Sequence, residues 1–184
     1  MVEISITIDG IPIKAQSGQN ILEVALKNKI SIPNLCYNEN LEPYGECRLC
    51  TVEIIIKQRK RLVAACCYPV EEGLVVTTQT PRLQQIRRVL VELLLAQSPS
   101  GAHTTLAKEY GIIQTRFPAQ KGVYNCTLCG LCVRYCEELR CENAVTFEGR
   151  GIDRHVVLVP GGVDKCRMCR KCFDYCDAGG IAYL

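Results

Sequence analysis

The first 79 residues carry hydrophobic patterns that change from the period of a strand to that of a helix and back. The run ISITI alternates isoleucine with polar residues, and the Asp9-Gly10 pair shortly after it is a strong signal for a tight hairpin. NILEVALKNKI, residues 20–30, spaces its hydrophobic residues as a helix does, with Asn20 as the N-cap. TVEIIIK, RLVAA and LVVTT predict a second strand pair and a last short strand. The order predicts a small α+β domain with one helix packed across a sheet.

A second, longer helix is predicted over residues 81–97. Thr80 is its N-cap and Pro81 occupies the first helical position. The leucine, isoleucine and valine residues of this segment cover more than one helical face, so the helix needs cover on most sides. Burial within this chain and contact with a partner subunit are both open explanations. The break SPSGAHTT and a short helix around LAKEYG follow.

Composition restricts the class of protein. The chain has 184 residues with 14 cysteines and a formal net charge of +3. MVEISITIDG lacks the basic and apolar regions of a signal peptide, and the apolar run VLVELLLA is too short to span a membrane. We therefore expect a cytoplasmic protein without a membrane span, whose cysteines are metal ligands rather than disulfides. The basic run KQRKR lacks interleaved aromatic residues, so it predicts a solvated hairpin tip and no nucleic-acid partner.

Eight of the cysteines form two copies of the pattern Cys-x2-Cys-x2-Cys-x3-Cys. A zinc knuckle needs two cysteines at this spacing, whereas a [4Fe–4S] cluster takes three from one tight loop and a fourth from elsewhere. In two-cluster ferredoxins the fourth cysteine of each run binds the other cluster. We therefore expect two [4Fe–4S] clusters, with AVTFEGRG and HVVLV forming a hairpin between the repeats. The expected ligand sets are Cys126, Cys129, Cys132 and Cys176 for one cluster, and Cys136, Cys166, Cys169 and Cys172 for the other. Residues 123–184 thus resemble a bacterial two-cluster ferredoxin.

A further cysteine set lies inside the N-terminal α+β domain. Plant-type ferredoxins hold a [2Fe–2S] cluster on a β-grasp fold with a central Cys-x2-Cys, which is kept here. IPNLCYNENLEPYGECRLCTVEI and LVAACCYPVEEGLVV resemble the N-terminal iron–sulfur module of the large peripheral subunit of respiratory complex I. They are also similar to the small diaphorase subunit of NAD-reducing hydrogenases and to iron–sulfur parts of electron-bifurcating oxidoreductases. The resemblance implies a [2Fe–2S] cluster held by Cys36, Cys47, Cys50 and Cys66.

Two cysteines are left over. The family pattern of Cys, two residues and Pro-Val selects Cys66 rather than Cys67, so Cys67 is expected to be a small buried residue. Cys141 lies in an insert after the first repeat. In the family, a His and three cysteines after the connecting helix commonly bind a further [4Fe–4S] cluster. Here no cysteine lies between Cys67 and Cys126, so that cluster is expected to be absent and His103 to be a surface or capping residue.

The predicted fold is α+β, with three parts. Residues 1–79 form a β-grasp [2Fe–2S] ferredoxin-like domain, 80–122 a helical connector, and 123–184 a C-terminal bacterial two-[4Fe–4S] ferredoxin domain. The sequence has no Gly-rich Rossmann fingerprint, phosphate loop or His/carboxylate constellation. We therefore expect a non-catalytic electron-transfer subunit that does not bind NAD or flavin itself.

The resemblance also implies partners. It suggests an electron-conducting subunit of a multi-subunit NAD(P)-linked oxidoreductase of the hydrogenase, formate dehydrogenase or electron-bifurcating transhydrogenase type. The chain would relay single electrons between a flavin/NAD(P)-binding subunit and another redox subunit or soluble ferredoxin. Two alternatives remain open at this point, an independent soluble polyferredoxin that shuttles between enzymes and a redox-sensing regulatory module.

Overall fold

The N-terminal hairpin forms where the hydrophobic alternation breaks. In the computed structural model, which describes residues 2–101, 103–118, 125–176, 178–179 and 181, strands β1 (Glu3–Ile8) and β2 (Ile11–Gln16) pair antiparallel. Asp9 and Gly10 both have positive φ, +50° and +83°. These are the angles of the two-residue turn whose twist matches the flanking strands, and Asp-Gly favours them. The predicted hairpin is confirmed.

The first helix, α1, runs from Ile21 to Lys27. Asn20 caps it, since the Asn20 side chain accepts a hydrogen bond of 2.9 Å from the backbone N–H of Glu23. The Asn20 amide in turn donates to the Glu23 carboxylate at 2.5 Å, so cap and first turn are bonded reciprocally. The helix ends earlier than predicted because Asn28 donates its side-chain amide to the Val24 carbonyl and Lys29 takes a positive φ.

Three more strands complete a mixed sheet. They are β3 (Thr51–Ile56), β4 (Arg59–Ala64) and β5 (Val75–Thr77), and the strand order is β2-β1-β5-β3-β4. Only the β1–β5 pair is parallel within this sheet, and all its other pairs are antiparallel. Helix α1 packs its buried face against the sheet, in a core that includes Ile6, Ile8, Leu22, Val52 and Ile54. The predicted order of strands and helix is confirmed.

Helix α2 extends from Pro81 to Gln97. Thr80 is its N-cap, because the Thr80 hydroxyl accepts a hydrogen bond of 3.2 Å from the backbone N–H of Leu83. Its apolar residues are better covered than the sequence suggests: Leu83, Val91 and Leu94 are buried, and Leu93 is the exposed one at 45%. Among the residues that the structure describes, no helix combines the length and apolar character needed to cross a membrane.

The chain divides into two compact units, residues 1–90 and 91–184. The second unit contains α3 (His103–Glu109) and α4 (Leu131–Arg134), which continues as a π-helical turn, Tyr135–Leu139. Strands β6 (Val145–Glu148) and β7 (His155–Leu158) form the predicted hairpin, with a 3₁₀ turn at Gly151–Asp153. Helix α5 (Gly162–Cys169) and a 3₁₀ turn, Lys171–Tyr175, follow. The predicted boundary between residues 122 and 123 lies outside the described residues.

The reciprocal bonds at Asn20 predict a measurable contribution to stability. Asn20→Ala should lower the free energy of unfolding by about 1 kcal/mol, because it leaves an N-terminal amide of α1 without its acceptor. Asn20→Ser should retain most of that stability, since a hydroxyl can accept the same bond. Urea unfolding of the full chain, followed by circular dichroism, measures the difference. Asn40→Ala in an exposed loop is the control, and an equal loss there would contradict the assignment.

Candidate metal centres

The strand ends of the first unit bring two cysteines together. Cys50 directly precedes β3, and Cys66 follows β4 after one intervening residue. Because Thr51 pairs with Ala64 in the antiparallel register, residues beyond that pair also lie close, and Ala65 donates its backbone N–H to the Cys50 carbonyl. The Cys50 and Cys66 sulfurs are 3.5 Å apart, and both residues are buried.

Cys36 and Cys47 form a second pair in the loop between α1 and β3. The backbone N–H of Cys47 donates to the Cys36 sulfur at 3.5 Å, and Cys36 is buried. Their thiols also share a hydrogen bond, which is the main reason why the pKa of Cys47 is raised, with burial adding to it. The four predicted [2Fe–2S] ligands therefore lie as two thiol pairs in the same unit.

Backbone amides point at these sulfurs. The thiol–thiol hydrogen bond with Cys66 lowers the pKa of Cys50 to about 7, with help from the backbone N–H groups of Cys66 and Ala65 and against the effect of burial. The same thiol contact raises the pKa of Cys66. The backbone N–H of Leu49 favours the Cys47 thiolate in the same way. Such N–H groups stabilise ionised sulfur, the form that binds metal.

Cys67 differs from its prediction. It is exposed rather than buried, and its sulfur is 3.5 Å from the Cys66 sulfur. A Cβ on Gly45 would come within 2.8 Å of the Cys67 sulfur, so the glycine at φ +68° lets the cysteine loop pass close to this thiol. The thiols of Cys66 and Cys67 are thus neighbours, and the thiol of Cys66 is the one that contacts Cys50. Cys141, the other spare cysteine, is also exposed.

In the second unit, the first three cysteines of one repeat lie near the last cysteine of the other. Burial raises the pKa of Cys126 and raises that of Cys129 to about 11, and the charge of Cys176 acts on both in the same direction. Burial is also the main cause that raises the pKa of Cys132, and the charges of Cys129, Cys172, Cys126 and Cys176 add to it, so that Cys172 of the other predicted set acts on Cys132 as well. The backbone N–H of Leu128, which has φ +54°, donates to the Cys126 sulfur at 3.4 Å.

The complementary set lines one cavity of the second unit. Burial raises the pKa of Cys172 to about 12, with contributions from the charges of Cys166, Cys136 and Cys169. The backbone N–H of Ala144 donates to the Cys136 sulfur at 3.2 Å. The cysteines that line the cavity are Cys136, Cys166, Cys169 and Cys172, beside the basic residues Arg140, Lys165 and Arg170.

The donor set is of the kind that iron–sulfur clusters take. Within the described ranges, no three His, Cys, Asp or Glu side chains surround the position of one metal ion. In a [4Fe–4S] cluster each cysteine binds a different iron, so its ligands need not converge on one point. Soft thiolates with backbone N–H donors are the ligands that iron–sulfur clusters take.

Two buried polar residues were not anticipated. His103 is fully buried rather than at the surface, with Nε2 2.5 Å from the Ser98 carbonyl oxygen. Arg87 is also fully buried. The burial of Arg87 could have been predicted from its position in the helix. It lies four residues from both Leu83 and Val91, and therefore on the same buried face of α2.

The fold and the cysteine pairs define the class of this part of the chain. Residues 2–81 match the family model of the 2Fe–2S iron–sulfur cluster binding domain. Over 97% of its length the chain is 30% identical to a subunit of the NADH-quinone oxidoreductase of Rhizobium meliloti (strain 1021), of which it covers 24%. It is 32% identical, with the same shares covered, to the α subunit of the NADPH-Fe(3+) oxidoreductase of Geobacter sulfurreducens.

A solved structure gives the same relationship. An NAD+-reducing [NiFe]-hydrogenase, crystallised in the H2-reduced state, matches with a TM-score of 0.74 and 28% identity, over 85% of this chain and 75% of that one. The resemblance expected from the sequence is therefore confirmed. The chain spans about a quarter of the length of the two curated relatives.

The pair of adjacent cysteines gives a direct test of the ligand register. Cys66→Ser should abolish the visible absorption and electron paramagnetic resonance (EPR) signal of the [2Fe–2S] centre, because it removes the sulfur that contacts Cys50. Cys67→Ser is the matched control one residue away and should retain the signal, as should Cys141→Ser. Loss of the signal in Cys67→Ser with retention in Cys66→Ser would reverse the assignment.

Proposed function

We propose that the chain is an electron-conducting iron–sulfur subunit of a multi-subunit NAD(P)-linked oxidoreductase. It would relay single electrons between a flavin/NAD(P)-binding subunit and another redox subunit or ferredoxin. The proposal is supported by the spacing of the cysteines, which assigns twelve of the fourteen to three sets of four, and by the nearness of Cys176 to Cys126 and of Cys136 to Cys172, as an exchange of ligands between the repeats would require. The names of the relatives support the link to NADH or NADPH.

Three clusters make up the proposed cofactor complement. The [2Fe–2S] cluster rests on the family match and on the Cys36/Cys47 and Cys50/Cys66 pairs. The two [4Fe–4S] clusters, and with them the two-cluster ferredoxin character of residues 123–184, rest on the two mixed sets in the second unit. Iron–sulfur clusters supply one-electron transfer. The chain's own residues would contribute thiolate ligands and N–H donors to sulfur, and these donors help to set the reduction potential.

A subunit role is preferred to that of an independent shuttle. The relatives are named as subunits of NADH- and NADPH-linked oxidoreductases, and the solved structure is an NAD+-reducing hydrogenase. The apolar face of α2 is a weaker argument than the sequence suggested, since Leu93 is its one exposed large apolar residue. The proposal of partners therefore rests on the relatives rather than on an uncovered helix.

Iron content tests the cofactor complement. The chain purified without oxygen should contain about ten irons per molecule, two from the [2Fe–2S] cluster and eight from two [4Fe–4S] clusters. Iron and acid-labile sulfide analysis measures this, with EPR to separate the cluster types. About two irons would refute the clusters in the second unit, and about fourteen would mean that a fourth cluster is present despite the absence of cysteine between Cys67 and Cys126.

Reduction by nicotinamide tests the subunit role. NADH or NADPH should bleach the visible absorption of the clusters only when a flavin-containing partner is present, because the sequence has no nucleotide-binding fingerprint. The isolated chain, reduced with dithionite, is the positive control. Bleaching of the isolated chain by NAD(P)H would make it an enzyme in its own right. A native extract in which the tagged chain stays monomeric, with no flavoprotein attached, would favour the shuttle.

A further inference from the structure

Arg87 contacts the backbone on both sides of Cys50, the cysteine that directly precedes β3. Its guanidinium donates through Nε to the Leu49 carbonyl at 3.2 Å and through Nη2 to the Thr51 carbonyl at 2.9 Å. These two carbonyls flank Cys50 in the chain. The fork of the guanidinium therefore bridges the backbone on both sides of a proposed cluster ligand, and the side chain is fully buried.

Arg87 forms no ion pair with a described residue. Both of its acceptors are neutral carbonyls, and its Nη1 atom is buried without a hydrogen-bond partner in the described part of the chain. A buried cation that is not paired with an anion is strongly unfavourable. Two carbonyls alone do not explain it, because a neutral donor would satisfy them at a lower desolvation cost.

An anion close to Cys50 would explain the arrangement. Four thiolates around a [2Fe–2S] core carry a net formal charge of about −2, which becomes about −3 on reduction by one electron. We propose that Arg87 is the buried counter-charge and positioning residue of the [2Fe–2S] centre, fixing the backbone of Cys50 and favouring the reduced state. This inference rests on the proposed [2Fe–2S] site.

The contacts of Arg87 allow it to orient a hydrogen-bond donor to sulfur and also to place a positive charge near the proposed cluster. The Leu49 carbonyl is held by Arg87 while the Leu49 N–H favours the Cys47 thiolate, so fixing this residue also orients a donor to sulfur. A fixed positive charge in a water-poor site is screened little by salt. Because it stabilises the more negative reduced cluster more than the oxidised one, its removal should lower the midpoint potential.

The test uses potentiometric EPR titration of the full, cluster-loaded chain. At a fixed ambient potential, Arg87→Gln and Arg87→Met should lower the ratio of reduced to oxidised [2Fe–2S] cluster roughly tenfold, a midpoint shift of about 59 mV to more negative values. Arg87→Lys keeps the charge and can reach one carbonyl, so its ratio should stay within about threefold of the unmodified chain. Arg88→Gln is the matched control, because Arg88 is the exposed neighbour on the same helix, and its midpoint should not change.

For a variant that does not bind the [2Fe–2S] cluster, the measured cluster content replaces the midpoint potential as the test. If the neutral variants lose the [2Fe–2S] cluster while Arg87→Lys retains it, a requirement for positive charge is supported. Loss of the cluster in Arg87→Lys as well would overturn the counter-charge role, because the charge alone does not suffice. Unchanged midpoints in loaded Arg87→Gln and Arg87→Met, or equal shifts in Lys and Gln, would overturn it too. Absence of the cluster from the unmodified chain, which is measured first, would instead refute the proposed [2Fe–2S] site.

Discussion

The burial of thiols that must ionise to bind metal is the constraint on which this structure depends. Burial disfavours a thiolate, and neighbouring thiolates disfavour each other. Both effects raise the pKa of Cys132 and Cys172. The fold counters them with backbone N–H groups aimed at sulfur, from Ala144 to Cys136 and from Cys66 and Ala65 to Cys50. Binding of the proposed clusters would therefore release protons and would be coupled to the packing that buries the cysteines.

The two units meet this constraint with different backbone structures. In the first, the register of β3 and β4 sets the distance between Cys50 and Cys66, so their contact is a consequence of strand pairing. In the second, the cysteines lie on short helical turns and bends that contain residues with positive φ. Gly130 and Arg170 take this conformation at equivalent places in the two repeats, φ +76° and +48°. Strand pairing thus fixes the spacing of the two cysteines in the first unit, whereas the turns of the second unit depend on core packing around Cys136 and Cys172.

Local signals predicted the parts of the fold that local physics determines. Asp9-Gly10 specified its turn, Asn20 and Thr80 specified two helix starts, and the alternating runs specified the strands. The family resemblance gave the cysteine set of the first unit, and the repeat spacing gave those of the second. The sequence did not reveal that Arg87 and His103 are buried or that Cys67 is exposed. Burial of a single polar residue depends on what the rest of the chain places around it, and Arg87 became interpretable only with the positions of the Leu49 and Thr51 carbonyls.

Hydrogen bonds connect described residues of the segment between Cys67 and Cys126, in which the sequence has no cysteine. The Ser98 carbonyl contacts the His103 ring, and the Ser98 hydroxyl donates to the Asn125 side chain at 2.5 Å. Asn125, which directly precedes Cys126, also donates to the carbonyl of Ala178 beyond the second repeat. The start of one repeat and the end of the other are thus joined through a single amide. In this region His103 is a buried hydrogen-bonding residue, and polar contacts link Ser98 both to its ring and to the residue that precedes Cys126.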